Sequence, residues 1–520
     1  MNTSFRQSMA SLHTWAGLLP GWLLYIVFLF GTTAYFQQEI SRWMRPEMSG
    51  PLSLAAVLPK ADALLHEKAL GASEWTILFP ARSGQVVRVL WEDGQEGSAK
   101  GKVTLDPATG QEVSVRGTQG GSFLYSFHYN LYAMPYLWAR IAICIATLAM
   151  LVAILSGVIT HKKIFADFFL LRFGKGQRSW LDAHNVTAVL ALPFHMMITY
   201  TGLVTLLFTV MPWAISANFA DRSAFYDAAY PDSPKFPPSG EGHPTLPLPQ
   251  LIHRAQSIWA EAGWTGTVGG ITIINPGDAN ATASLYAGRD RLAQPASRLI
   301  LSATDGRLLY AAPPEGSARL TQSVMILLHL GTFADISLRW LYFLSGVGGT
   351  VMVASGLVLW TVKRRAKLPD PARPYLGFRL VERLNIGVIT GSMAGIAVYF
   401  LANRLLPLAM TNRADWEINS LFIAWGGVFV WAMARPAKRA WVETLAACAM
   451  LYALVSIINA ITTERGLIPS LIAGNWVFAG FDLVMLATAA ACAFTAWKVA
   501  AHKPKAAPRR KARISAQGAL

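Results

Sequence analysis

Charge is scarce in this sequence. Of 520 residues only 14% are Asp, Glu, Lys or Arg, while 53% are hydrophobic. A soluble domain carries about a quarter charged residues, so the shortfall excludes an ordinary water-soluble globule and points to lipid as the solvent. Acidic residues are the scarcer kind, 29 against 45 basic, for a net charge of +16. That excess does not read as nucleic-acid binding, because the basic residues sit in short blocks at the ends of apolar runs, as cytoplasmic loops of membrane proteins require. Cysteine is almost missing: Cys144, Cys448 and Cys492 all lie inside apolar runs, with no CxxC. This excludes a disulfide framework, a Cys-ligated iron–sulfur cluster and a covalently attached c-type haem. Also absent are a Walker A motif, a GxGxxG after a strand, a nucleophile elbow and HExxH, so the chain carries no built-in nucleotide, flavin or nicotinamide domain.

What is present is a series of long apolar runs. A membrane span needs about 20 mostly apolar residues, and eight stretches qualify: 14–36, 137–160, 186–210, 339–361, 384–404, 418–434, 440–461 and 476–499. The first is expected to be a retained span rather than a cleaved signal, since no small-residue cleavage site follows it. Basic clusters set the orientation: Lys162, Lys163, Arg172, Lys175 and Arg178; Lys363, Arg364, Arg365 and Lys367; Arg435, Lys438 and Arg439; and a basic tail over 501–520. With both termini cytoplasmic, every short loop obeys the positive-inside rule. The expected fold class is an α-helical polytopic membrane protein of about eight transmembrane helices.

Two long segments, 45–125 and 217–322, then fall outside the cytoplasm. Each opens with a helical stretch (Ala55–Leu70; Pro249–Ala262), continues with strand-like runs (86–91; 269–276), and ends in turn-like LDPATGQEV or LSATDGRLL. They read as two copies of one small α+β module. The duplication extends into the spans. His13 and His184 are each followed 18 residues later by Gly31 and Gly202, and His128 and His329 each precede an Arg (Arg140, Arg339) and a Ser-Gly pair ending in Gly157 or Gly356. The expected organisation is a first span (1–44), an extracytoplasmic domain (45–125), spans two and three with a basic loop at 161–183 (126–216), a second extracytoplasmic domain (217–322), an interfacial helix and span four (323–367), and spans five to eight (368–500) without counterpart. The first four spans form an internal tandem repeat.

Six of the ten histidines lie in or beside spans: His13, His128, His161, His184, His195 and His329. Ionisable residues at membrane depth are costly and mark function, and neutral imidazole is the usual axial ligand of a b-type haem. His13 and His184 sit at the cytoplasmic ends of equivalent spans, and His128 and His329 at the outer ends. A pseudo-two-fold axis along the membrane normal would pair them, one pair per leaflet. Two bis-histidine sites stacked across the membrane make a path for electrons. Eighteen residues are about five helical turns, so Gly31 and Gly202 share a face with His13 and His184, and Gly17 and Ala188 extend that stripe into a groove for a flat porphyrin. Small residues also simply let helices pack closely. His195, 11 residues after His184, lies on the same face and is read as an additional ligand, a proton relay or a propionate partner. His161 is either a ligand or an interfacial histidine. His128 lies beyond the outer interface, so YSFHYNLYAM is expected as an interfacial helix broken off at Pro135, with LLHLGTF its counterpart.

The strings LHTWAGLLPGWLLYIVFLFGTTAYF, HKKIFADFFLLRFGKGQRSWLDAHN, LPFHMMITYTGL and LLHLGTF resemble the PepSY-associated transmembrane-helix proteins over residues 5–367. The resemblance implies PepSY folds for both periplasmic modules, haem b (two per chain) on His13, His128, His184 and His329, and a ferrisiderophore-reductase activity in iron acquisition. The helices beyond 384 depart from the shorter reductase pattern. The expectation is an oxidoreductase carrying electrons from quinol or a cytoplasmic reductase to a ferric siderophore or similar chelate. Two other readings stand beside it: a siderophore or metal permease, and a membrane display of PepSY modules that regulate periplasmic proteases.

Overall fold

The computed structural model describes residues 4–80, 86–92, 101–161, 171–172, 176–229, 234–264, 266–288, 298–313 and 316–502. The basic tail and most of the basic 161–183 loop lie outside the described residues. Helices α1 (Phe5–Leu18) and α2 (Gly21–Ala34) are followed by α3 (Gln37–Trp43) and α4 (Leu54–Lys68), then strands β1 (Glu74–Leu78), β2 (Val87–Glu92) and β3 (Gly101–Leu105). Next come α5 (Gly121–Asn130), α6 (Tyr136–Thr160), α7 (Gln177–Leu190), α8 (Leu192–Thr205), and the short α9 (Leu207–Val210), α10 (Trp213–Asn218) and α11 (Arg222–Ala229). The second extramembrane segment holds α12 (Leu248–Glu261), β4 (Val268–Ile274), β5 (Thr282–Ala287), β6 (Arg298–Ser302) and β7 (Leu308–Ala311). The chain ends with α13 (Ser317–Leu330), α14 (Ile336–Arg365), α15 (Leu376–Leu405), α16 (Arg413–Ala434), α17 (Ala437–Thr462), α18 (Leu467–Ile472) and α19 (Trp476–Ala501).

Among the described residues six helices, α6, α14, α15, α16, α17 and α19, are long and apolar enough to cross a membrane. The stretches expected as continuous spans at 14–36 and 186–210 are instead bent pairs: α1 meets α2 at 62° and α7 meets α8 at 69°. Both breaks coincide with proline, Pro20 at the N-cap of α2 and Pro193 in the first turn of α8, where the missing N–H and the ring interrupt a continuing helix. Counted with these pairs the spans number up to eight. The break before α6 falls where expected, with Pro135 capping that helix and α5 standing apart from it.

The two extramembrane segments are joined through their strands. Their strands make one seven-stranded sheet in the order β3-β2-β1-β4-β5-β6-β7, joined by the antiparallel pairing of β1 with β4, in which Trp75 faces Ile273 and Thr76 faces Thr272. One core serves both: α12 buries Leu248, Leu251, Ile252, Ala255 and Trp259, a stripe at helical spacing, and α4 buries Val57, Leu58, Ala61 and Leu65 beside it.

Helix α15 is the most enclosed of the long helices, with 83% of its apolar window buried. Gly387, Gly391 and Gly395 fall at successive turns, and a Cβ on them would meet Phe429, Trp425 and Leu421 of α16. These glycines let the two helices approach closely. At its outer end this unit grips the linkers of the first extramembrane segment. Arg404 donates to the Trp43 carbonyl at 2.6 Å and lies 3.8 Å over that indole. Buried Glu417 pairs with Arg413 and accepts from Thr118 Oγ1 at 2.5 Å.

Candidate functional site

Helices α1 and α7 bring His13 and His184 together, with ring centres 6.2 Å apart and planes at 73°. Helices α5 and α13 do the same for His128 and His329, at 6.1 Å and 31°. The structure thus brings His13 to His184 and His128 to His329.

All four imidazoles are held alike. The Nδ1 of His13 lies 2.8 Å from the Ala153 carbonyl, that of His184 2.8 Å from Met352, that of His128 2.6 Å from Val27, and that of His329 3.1 Å from Ile198. A carbonyl only accepts, so each Nδ1 carries the proton and each Nε2 presents a lone pair. Four residues after each carbonyl stands a glycine: Gly157, Gly356, Gly31 and Gly202. A Cβ there would come within 3.1 Å of a ring atom in His13 and His184, 2.6 Å in His128 and 3.0 Å in His329. Each ring thus lies across one helical turn of a neighbouring helix, bonded at one end and seated on bare backbone at the other.

Among the described residues no protein atom hydrogen-bonds the Nε2 of any of the four, and no cluster of three or more His, Cys, Asp or Glu gathers as for a free metal ion. Two imidazoles on one axial metal fit the spacing. A bond of about 2 Å plus about 1.1 Å from nitrogen to ring centre, taken twice, sets coaxial ring centres about 6.2 Å apart. A cavity of about 490 Å³ adjoins the outer pair and includes Gly31, Gly202, Arg140 and Arg339 in its walls. Neutral imidazoles with second-shell carbonyls at Nδ1 are what a metalloporphyrin with two axial histidines needs.

Residues 10–363 match the PepSY-associated TM region. The chain belongs to that family. It is also 25% identical over 392 residues to an uncharacterized protein of Pseudomonas aeruginosa, a similarity covering 71% of this chain and 93% of that relative. The PepSY-associated region takes in all four paired histidines and closes near the end of α14, leaving α15–α19 outside it.

Within this PepSY-associated unit the glycine stripe is corrected. Gly31 and Gly202 do not continue a groove from His13 and His184, because the bends at Pro20 and Pro193 separate them. They seat the outer histidines, while the inner ones rest on Gly157 and Gly356. Gly17 has open space at its Cβ position and seats nothing. Ala188 packs, partly buried, among the apolar residues of the bundle. The Ser-Gly pairs at 157 and 356 mark the duplication in sequence, but nothing local identifies them as seats. Their partners lie more than a hundred residues away.

His195 joins neither pair. It is buried, its Nε2 lies 3.4 Å from the Ser345 carbonyl, and its ring stands edge-on to Phe28 at 5.9 Å. His161 caps α6, where its Nε2 accepts from Asn185 Nδ2 at 3.0 Å. That nitrogen is therefore engaged, and His161 ties the end of α6 to the residue after His184.

Proposed function

We propose that the chain is an inner-membrane, di-haem b oxidoreductase that carries electrons outward and reduces ferric chelates in the periplasm. The observation that carries this reading is the pair of histidine pairs, each with Nε2 lone pairs free and ring centres at the spacing of two axial imidazoles. Bound between them, a b-type haem supplies a one-electron carrier whose potential the protein tunes.

The chain's own residues do the rest. The carbonyls of Ala153, Met352, Val27 and Ile198 fix each tautomer and raise the basicity of Nε2. The glycine seats fix the ring planes. Gly346, which a Cβ would press against Thr32 beside the outer seat Gly31, stands ten residues from the inner seat Gly356 on α14. At 1.5 Å per residue the two levels are about 15 Å apart along that helix, stacked across the bilayer rather than side by side. Electrons enter from quinol or a cytoplasmic reductase, and each Fe(III) accepts one to leave as Fe(II), which oxygen-donor chelators hold far more weakly. A quinol, giving two electrons and two protons, supplies two such reductions.

The test is a dithionite-reduced minus oxidised spectrum of the detergent-solubilised chain, with haem quantified. About two b-type haems per chain are expected from two bis-histidine sites, falling to about one when His128→Ala and His329→Ala are combined, with loss of ferric-chelate reduction. A colourless protein from haem-replete cells, or reduction that survives the double substitution, rules the reading out.

A further inference from the structure

The outer cavity holds two arginines, each near the start of its helix: Arg140 on α6 and Arg339 on α14. Their surroundings differ. Arg339 donates to Glu39 Oε1 at 2.7 Å and lies 5.2 Å over the Phe36 ring, so its charge is compensated inside the cavity wall. Arg140 has only neutral neighbours: Asn130 Oδ1 at 3.1 Å, Thr209 Oγ1 at 3.4 Å, and the rings of Tyr129 and Tyr136 at 5.6 and 5.5 Å. Among the described residues no carboxylate stands within ion-pair distance of it.

The wall beside His128 and His329 therefore carries one uncompensated guanidinium at the edge of the apolar bundle. Such a charge is costly without a partner. Two of its five N–H donors are engaged, leaving a fork of the shape that takes a planar oxyanion in bidentate fashion. Glu39, whose second carboxylate oxygen has no partner, repels an anion from the Arg339 side and directs it to Arg140.

We propose that Arg140 is the carboxylate-binding group of the outer cavity. The carboxylate comes either from the side chains of a porphyrin resident between His128 and His329, which rests on the reading above, or from an incoming carboxylate-bearing ferric chelate.

The experiment titrates the full chain, purified in detergent from haem-starved cells, by quenching of its tryptophan fluorescence. In a His13→Ala/His184→Ala background, so that only the outer site is read, haemin is compared with haemin dimethyl ester. Ferric citrate is compared with the uncharged ferric tris(acetohydroxamate) on the unsubstituted chain. A charge-assisted pair predicts that haemin binds about tenfold to hundredfold more tightly than its ester. Arg140→Gln abolishes that preference and Arg140→Lys keeps most of it, which a merely structural role would not do. This outcome assigns the carboxylate to the porphyrin. Equal binding of the two haemins, with ferric citrate affinity lost at least tenfold in Arg140→Gln and the neutral chelate unaffected, assigns it to the chelate. Absence of an Arg140 effect in both arms overturns the proposal while leaving two-haem binding intact. Failure of the unsubstituted chain to bind either haemin overturns the haem reading instead, and the citrate arm still decides Arg140.

Discussion

A single methyl group separates the four histidine seats in severity. At Gly31 an added Cβ would lie 2.6 Å from both Cε1 and Nδ1 of His128, closer than any Cβ contact tolerates, and the ring is pinned there by its 2.6 Å bond to Val27. At Gly157 the same methyl would lie 3.1 and 3.2 Å from His13, a crowding that a shift of a few tenths of an ångström relieves. If the chain is the di-haem protein proposed above, Gly31→Ala is therefore expected to displace His128 and reduce bound haem from about two per chain to about one. Gly157→Ala should keep both and alter only band position. Quantified haem in the two variants checks this, and equal loss in both would show that the seats do not orient the ligands. Much of this site is legible at the residue scale. The histidine pairs follow from duplicated spacing, and Gly31 and Gly202 stand out as paired small residues. Which histidine each glycine serves is not legible, because a count of 18 residues means a shared face only if the helix runs unbroken, and Pro20 and Pro193 break it.

At the scale of elements, the two helices carrying the outer histidines are supported unequally. Helix α5 buries Phe123, Leu124 and Phe127, and rings from α15 and α16 close over it: Tyr399 at 5.5 Å from Phe123, Phe422 at 5.6 Å and Trp425 at 6.4 Å from Phe127. Phe422 also stacks on Tyr132, just beyond the helix, at 5.1 Å. Helix α13 has no fully buried residue. The helices beyond 384 thus close aromatic rings over α5, the helix that carries His128. No local signal in the sequence reveals this, since every contact joins residues more than 250 positions apart. Removing one aromatic arm should loosen His128 and not the inner pair. Phe422→Ala, deleting a half-buried ring worth about 2 kcal/mol, is expected to shift the midpoint potential of the outer haem and leave the inner one in place. A redox titration that resolves two components would read it, and parallel shifts of both would mean that the added helices stabilise the bundle as a whole.

At the scale of the molecule, the junction of β1 with β4 joins the strands of the two extramembrane segments into one sheet. The sequence announces each three- or four-stranded unit through alternating apolar residues, but not their union. Pairing two edge strands consumes only backbone groups and leaves no side-chain pattern to read. Physically the union is favoured, because each unit alone would present an unpaired edge. Its register is specific and testable. The Asn275 amide donates to the Ser73 carbonyl at 2.8 Å and the Phe79 amide to Gly269 at 3.2 Å, so ladder bonds fall at alternate pairs and Thr76 opposite Thr272 is a non-hydrogen-bonded pair. Their hydroxyls lie 3.0 Å apart. Such pairs bring Cα atoms to about 4.5 Å, within the range a disulfide spans. Thr76→Cys combined with Thr272→Cys should therefore oxidise to an intramolecular disulfide without strain on the rest of the chain. The three native cysteines are buried and do not compete. Mass spectrometry of the unreduced digest would show the linked peptides, and haem content should be unchanged because the bond fastens strands already joined. Two free thiols persisting under oxidation would mean that the two segments do not share this sheet.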